Sequence, residues 1–296
     1  MSDRVAVIAT HVRRGLFQSA PGVGRHAAIH FVLLIVAFIF ALPFLWMAST
    51  SLKEATQVES FPPVYIPSPV VWQNYVEALT FLPFHQYFFN TTLISALVIV
   101  GDVLSASFVA YGFARLRAPG RNFLFIVMIS TMIVPLAVRL LPTFLLFKWM
   151  NWVNTFLPLI VPAFFGTPYF IFFVRQFYRT IPQELSDAAR VDGASEFRIW
   201  WQIMVPLSRP VLIAIGIFAF ANVWNDFLYP LVFLTDRTKW TISIALSAMI
   251  DATGEDIQFW NLMMAAAFAS VAPMVVVFGF AQRYFTQGVT LTGIKG

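Results

Sequence analysis

The sequence predicts an all-α integral membrane protein that crosses the bilayer six times, and three observations carry that reading. Of the 296 residues 59% are hydrophobic and only 11% charged, against about 25% charged in an ordinary soluble domain, and mean hydropathy is +0.77. Six apolar runs have roughly the 20-residue length that a helix needs to cross a hydrocarbon core. Lys and Arg are distributed unevenly between those runs, which gives an orientation.

In chain order the runs are Phe31–Ser49, Thr91–Phe113, Asn122 to an end between Val138 and Phe147, Trp152–Val174, Val211–Leu234 and Asn261–Ala281. The first is long, rich in Phe and Leu and preceded by thirty residues. It is expected as a retained helix, because a cleaved signal has a shorter apolar stretch ending in small residues. Proline falls in five of the six: Pro43, Pro135 with Pro142, Pro158 with Pro162 and Pro168, Pro230, and Pro273. Such interruptions are tolerated where neighbours or water satisfy the freed carbonyls, which favours a moving bundle.

With the N terminus inside, 14 of the 19 basic residues face the cytoplasm: Arg4, Arg13, Arg14, Arg25, Arg115, Arg117, Arg121, Arg175, Arg179, Arg190, Arg198, Arg209, Arg283 and Lys295. Lys53, Lys148, Arg237 and Lys239 then lie outside, and Arg139 sits near or within the third run. Both termini are therefore expected in the cytoplasm, and the net charge of +5 needs no nucleic-acid partner. The expected organisation is a cytoplasmic segment 1–30, a first span 31–49, an outer loop 50–87, a core 88–283 with five spans and a cytoplasmic hairpin at 182–206, and a cytoplasmic tail 284–296. Without cysteine there are no disulfides, thiolate metal sites or cysteine nucleophiles. His11, His26, His30 and His85 show no metal-ligand spacing.

The hairpin is the one long charged passage between two apolar runs. Pro182 suits a helix start, and Glu184 and Asp187 complement the positive end of its dipole, so a short helix is expected over Pro182–Val191. Asp192 and Gly193 interrupt it, Gly accepting the left-handed backbone of a helix end. Ser195 caps a second helix that Pro206 is expected to end. On the first, Ile181, Leu185, Ala188 and Ala189 form a face that another surface can approach closely. On the second, Phe197, Trp200, Trp201 and Met204 form a bulky stripe against neighbouring spans or the lipid interface. Periodicity alone fits an amphipathic hairpin resting on the membrane as well as one that meets a partner.

The residues also carry a pattern. Permease subunits of bacterial ATP-binding-cassette importers share an EAA motif: Glu-Ala-Ala, three residues, Gly, nine residues, then Ile-x-Leu-Pro. This chain has Asp187-Ala188-Ala189, three residues, Gly193, nine residues, then Ile203-Met204-Val205-Pro206, at the same spacing, with Asp187 for Glu and Val205 for Leu. RQFYRTIP from Arg175, DGASEFRI from Asp192, WNDFLYPLVF from Trp224 and the tail GVTLTGIKG from Gly288 are similar to the carbohydrate-uptake group, specifically to the second permease subunit of the maltose transporter. The resemblance covers roughly Asn90 to Gly296.

That resemblance implies the type I importer permease fold in a bacterial inner membrane, paired with a second permease subunit, two ATPase subunits and an extracytoplasmic substrate-binding protein. It implies that Glu184, Asp187, Ala188, Ala189, Asp192 and Gly193 form the coupling helix that docks on an ATPase. Asp251, Gly254, Glu255 and Asp256 in the outer stretch 235–260, and the proline-rich loop 50–87, become docking surfaces for the binding protein; the plain alternative is two solvated loops. The tail residues Gly293 and Lys295 would reach between the ATPases, where position alone suggests a frayed end. The chain itself has no G-x-x-x-x-G-K-[ST] loop. It is therefore expected to be a transport subunit without cofactor or catalysis, ATP and Mg being bound by the partner ATPase.

Ionisable groups inside spans are functional candidates, since one at the bilayer centre costs about 2.5–3.5 kcal/mol. Asp102, Arg139 and Asp226 qualify. Asn222, Asn225 and Asp226 either line the path, offering donors and acceptors to sugar hydroxyls, or fix helix packing. A self-sufficient, ion-coupled secondary transporter would use Asp102 and Asp226 as a relay, though no inverted repeat supports it.

Overall fold

The computed structural model describes residues 23–253 and 259–292, which contain helices and turns and no strand. Lipid offers no partner to a bare N–H or C=O, so a chain this apolar satisfies its backbone within helices. They are α1 Val23–Ser51, α2 Ala55–Val58, α3 Gln73–Phe81, α4 Phe84–Arg115, α5 Arg121–Ser130, α6 Leu136–Trp149, α7 Leu157–Ile160, α8 Pro168–Tyr178, α9 Glu184–Val191, α10 Glu196–Ile199, α11 Val205–Leu207, α12 Arg209–Asn225, α13 Leu228–Phe233, α14 Ile242–Thr253 and α15 Trp260–Thr292. Ala27–Ser51, Phe84–Arg115, Leu157–Tyr178 and Trp260–Gln282 are each long and apolar enough to cross a membrane. Two bent pairs, Arg121–Ile133 with Leu136–Trp149 and Glu196–Leu207 with Arg209–Asn225, raise the number to six.

The bundle is organised around α4, which packs against α12 and α8. Its inward stripe is made of small residues, Gly101, Ala106 and Ala110, that let neighbours come close. A Cβ at Gly101 would stand 2.8 Å from the Phe164 ring. Toward Arg115 the core joins Tyr111, Phe170, Val174, Tyr178, Ile199, Trp200 and Met204. Toward Phe84 it joins Tyr87, Trp224, Ile242, Met249 and Ala265. By contrast, α1 packs on α15 and leaves Phe31, Leu34 and Phe40 exposed, a surface suited to lipid.

Several expected boundaries change. The third run is not one straight helix: α5 with its terminal turn and α6 meet at 102°, because Pro135 holds Val134 extended (φ −71°, ψ 116°). In the fourth run residues 152–156 are turns, with Asn151 and Asn154 at positive φ, and the helix is broken again at Gly166 (φ 94°) before Pro168 opens α8. The fifth run breaks at Asp226. The sixth continues to Thr292, so residues 284–292 extend a helix where a separate tail is expected.

The two stretches expected as outer loops are also more structured than loops. Within 50–87, Asn74 donates to the carbonyls of Ser51 and Lys53 (2.9 and 2.8 Å), and Asn261 donates to that of Lys53 (3.2 Å), tying α1, α3 and α15 together. Stretch 235–260 contains α14, whose Ile242, Ile244, Ala245 and Met249 are buried. Its apolar run is too short to cross a bilayer, so a search for spans passes over it.

Candidate functional site

Helix α9 starts at Glu184, two residues after Pro182, and ends in a Schellman turn. The Ala194 N–H bonds the Ala189 carbonyl (2.9 Å) and the Gly193 N–H bonds that of Arg190 (3.0 Å). Gly193 sits at φ +77°, as its position after the helix requires. Ser195 Oγ then accepts from the Arg198 N–H (3.3 Å), capping α10. Pro206 does not end the second helix. A π turn over Trp200–Met204 and then α11 carry it to Leu207, and the 79° bend falls at Ser208. Pro206 lies in the first turn of α11, where its missing N–H is no loss.

One face of α9 turns inward through Ser186, fully buried, and the half-buried Ala189, which packs with Ile181 against the core. The other face presents Leu185, Ala188 and Val191, the last 88% exposed, with Glu184, Asp187 and Asp192 around them. The two motif alanines therefore point to different surroundings. Of the aromatic stripe, Trp200 and Met204 are buried while Phe197 and Trp201 are exposed.

The hairpin is braced by charge. Arg190 Nη1 contacts Asp187 Oδ1 at 2.6 Å, and its Nε contacts Glu196 Oε1 at 2.7 Å. The hydroxyl of Tyr111, on α4, donates to Glu196. The bond from Arg190 holds the Glu196 carboxyl below the usual carboxylate range, and the same bond raises Arg190. Nearby, Arg115 donates to Gln183 Oε1 (2.6 Å) and to the carbonyls of Tyr178 and Ile181 (2.7 and 2.6 Å). The Trp200 indole donates to Ser107 Oγ (2.9 Å), which lies 2.7 Å from the Tyr178 hydroxyl. These bonds join the hairpin and the segment before it to α4 and α8. Sequence reasoning passed over Tyr111, Arg115, Arg190 and Glu196 as site residues. Only Arg190, three residues beyond Asp187, had a local signal.

The polar trio of the fifth run is divided. Asp226 follows α12 and accepts from the Tyr229 N–H (3.3 Å), starting α13. It lines a cavity of about 350 Å³ with Thr143, Phe147, Tyr229 and Thr241. Asn225 donates to the Ala221 carbonyl (2.8 Å) and lines a second hollow of about 520 Å³ beside Phe44, Ser243 and Ser270. Asn222 is exposed. Thr241 is buried, and its hydroxyl has no partner among the described residues. Asp102 accepts from Thr167 Oγ1 (2.6 Å), joining α4 to the break before α8. Of the outer candidates, Asp251 is exposed on α14, while Gly254, Glu255 and Asp256 lie outside the described residues, as do Gly293 and Lys295. Among the described residues no cluster of His, Asp or Glu is arranged to hold a metal.

Residues 103–291 match the family described as "Binding-protein-dependent transport system inner membrane component". The chain is 33% identical over 264 residues to the arabinooligosaccharides transport system permease protein AraQ of Halalkalibacterium halodurans, covering 88% of this chain and 93% of that protein. It is 32% identical to the diacetylchitobiose uptake system permease protein NgcG of Streptomyces coelicolor, covering 90% and 88%. It is also 32% identical to the sn-glycerol-3-phosphate transport system permease protein UgpE of Yersinia enterocolitica, covering 87% and 94%. In fold it is similar to a chain of a bacterial ABC transporter that imports the polysaccharide alginate, with a TM-score of 0.79 at 21% identity over 91% of this chain and 99% of that one.

Proposed function

The chain belongs to the inner membrane components of binding-protein-dependent transport systems, and from that membership we propose that it is the permease subunit of an ATP-driven importer for a sugar or similarly hydroxylated solute. The relatives are named for arabinooligosaccharides, diacetylchitobiose and glycerol phosphate, which share a polyhydroxylated character. Its partners in this reading are a second permease, two ATPases that bind ATP and Mg, and a binding protein that docks near α14 on the outer face. The N and C termini lie in the cytoplasm. ATP closes the ATPases, α9 follows them, and the bundle alternates between outward and inward openings.

The observation that carries the reading is the braced hairpin. An exposed face of Leu185, Ala188 and Val191 gives a partner something to grip, and the Arg190–Glu196–Tyr111 chain ties that grip to α4. A helix resting idly on lipid has no need of such a tie. Asp226, Tyr229 and Thr241 around their cavity are the groups best placed to meet solute hydroxyls.

Mild extraction from the native membrane followed by native mass spectrometry of the intact assembly tests this. The expected result is co-elution with a second permease and two copies of an ATPase. A lone chain or homodimer that still transports solute in ATP-free vesicles would replace the importer by an ion-coupled secondary transporter.

A further inference from the structure

Where α4, α5 and α8 end together, a hollow of about 440 Å³ is lined by Arg121, Arg175 and Arg179, with Asn122 and Phe125 between them. A second hollow of about 480 Å³ shares Arg121 and Asn122, adds Arg117 and lies over the first turn of α5. Arg175 and Arg121 are held in place without being neutralised. The Arg175 guanidinium lies 3.9 Å from the centre of the Phe125 ring, and its Nε donates to the Phe113 carbonyl (3.3 Å). Its two terminal nitrogens have no protein partner among the described residues. Arg121 gives one nitrogen to the Leu116 carbonyl (2.7 Å). Arg179 and Arg121, which line the same hollow as Arg175, carry charge of its own sign. Among the described residues the acid–base pairs are those of Arg190 with Asp187 and Glu196, so no carboxylate answers this cluster.

Three guanidinium groups facing one hollow repel one another and are stable together when an anion lies between them. Guanidinium forks suit phosphate oxygens, which accept two parallel bonds from each. The first turn of α5 adds the positive end of its dipole. The flank of α5 beside the hollow exposes Phe123, Leu124, Ile126 and Val127, and Phe173 is exposed on α8. An anion seated among the arginines would thus have apolar surface running away from it, as an acyl chain requires.

We propose that Arg121, Arg175 and Arg179 form a binding site for the phosphate of an anionic phospholipid at the membrane surface. Basic pockets between membrane helices take lipid headgroups in this way. The lipid anchors the junction of α4, α5 and α8 from which the hairpin is suspended, making it a structural and regulatory ligand separate from the transported solute. This assignment stands on the arginines and their apolar flank, whatever solute the assembly carries.

The test uses the assembled complex, exchanged into phosphatidylglycerol or phosphatidylcholine and examined by native mass spectrometry for retained lipid. The wild type is expected to retain phosphatidylglycerol selectively. Replacing Arg121, Arg175 and Arg179 by Gln is expected to weaken retention about fivefold per arginine and about 100-fold together. The corresponding Lys variant, which keeps the charge and loses the forks, is expected to fall between wild type and the Gln variant, and Arg209→Gln, which removes one charge elsewhere, leaves retention unchanged. Arg179→Gln alone, at an exposed helix end, provides the fivefold step if the triple variant does not assemble. Equal retention by wild type and the Gln variants overturns the proposal. So does complete displacement of the lipid by millimolar inorganic phosphate, which would make this a free-phosphate site. Loss of a protein subunit with lipid retention intact would instead assign the arginines to a protein contact.

Discussion

The helical path is broken after α9 and again after α12, and each break carries one aspartate: Asp192, before Gly193, in one and Asp226, after Asn225, in the other. After α9 the turn is closed by backbone bonds of 2.9 and 3.0 Å and braced by Arg190 across to Glu196. After α12 the backbone bond is longer, Asp226 N–H to Val223 carbonyl at 3.2 Å, and a carboxylate starts the next helix beside a cavity of about 350 Å³. The first is a corner whose angle is fixed by its own bonds. The second depends on one side chain and adjoins free volume. A lever needs the former, and a gate that opens and shuts needs the latter.

The largest effect is expected from deforming the corner. A side chain at φ +77° costs about 1–2 kcal/mol, and a Cβ at Gly193 meets no other atom, so that cost is purely conformational. Gly193→Val should lower solute uptake per ATP hydrolysed about tenfold, while Gly193→Asn, which tolerates this backbone, should stay within about twofold. Reconstituted vesicles assayed for both quantities decide it. Normal coupling in the Val variant would remove the lever role from α9.

At the second break the cap on α13 is the target. Asp226→Ala loses the acceptor for the Tyr229 N–H, an effect of about 1 kcal/mol, or about fivefold in uptake. Asp226→Asn keeps an acceptor and should remain near wild type. That pair of variants also separates the two transport classes. A proton or sodium relay through Asp226 would fail with Asn, whereas a capping residue would not.

Loosening the brace should do less. Arg190 and Glu196 are 31% and 43% exposed at their side chains, so solvent limits the pair to about 0.2–1 kcal/mol. Arg190→Gln is expected to reduce coupling about two- to threefold on that scale. The pH dependence follows from the depressed Glu196 carboxyl, whose first cause is Arg190. A carboxyl lowered by folding contributes stability above its unfolded value, about pH 4.3, and loses it as pH falls through the folded value. The difference in Tm between wild type and Arg190→Gln should therefore be constant from pH 7 to about pH 5 and shrink as pH falls below about 4.3 through the folded value. A difference that grows on acidification would assign the brace elsewhere.

What the sequence made legible follows the range of each interaction. The Schellman turn at Gly193 and the Ser195 cap are written within a few residues. The tie that joins the hairpin to α4 runs from Tyr111 to Glu196, 85 residues apart, and no periodicity announces it. The break at Val134-Pro135 lay in plain view as a proline, but whether neighbours bridge a proline or let the helix turn by 102° depends on packing. Helix α14 is not evident because ISIALSAMI is short for a span, and part of its burial comes from α4, remote in sequence. Asn222, Asn225 and Asp226 stand at i, i+3 and i+4, the spacing of one helix face, but α12 ends at Asn225 and Asp226 is extended, so it leaves that face.

The smallest effect on folding, and the finest probe of the cavity, is expected from Thr241. Its hydroxyl is buried without a partner among the described residues, and the residue lines the cavity together with Asp226 and Tyr229. An unanswered buried hydroxyl is unfavourable by about 1–3 kcal/mol, whereas a methyl group of the same size loses nothing there. Thr241→Val should therefore leave stability unchanged or raise Tm slightly. If the hydroxyl waits for a solute, the same substitution should raise the apparent KM for uptake about fivefold, the value of one modest hydrogen bond of about 1 kcal/mol. Higher stability with weaker uptake would mark the cavity as part of the path. Higher stability with unchanged uptake would mean that the free volume serves the motion of α13 alone, and that solute passes elsewhere.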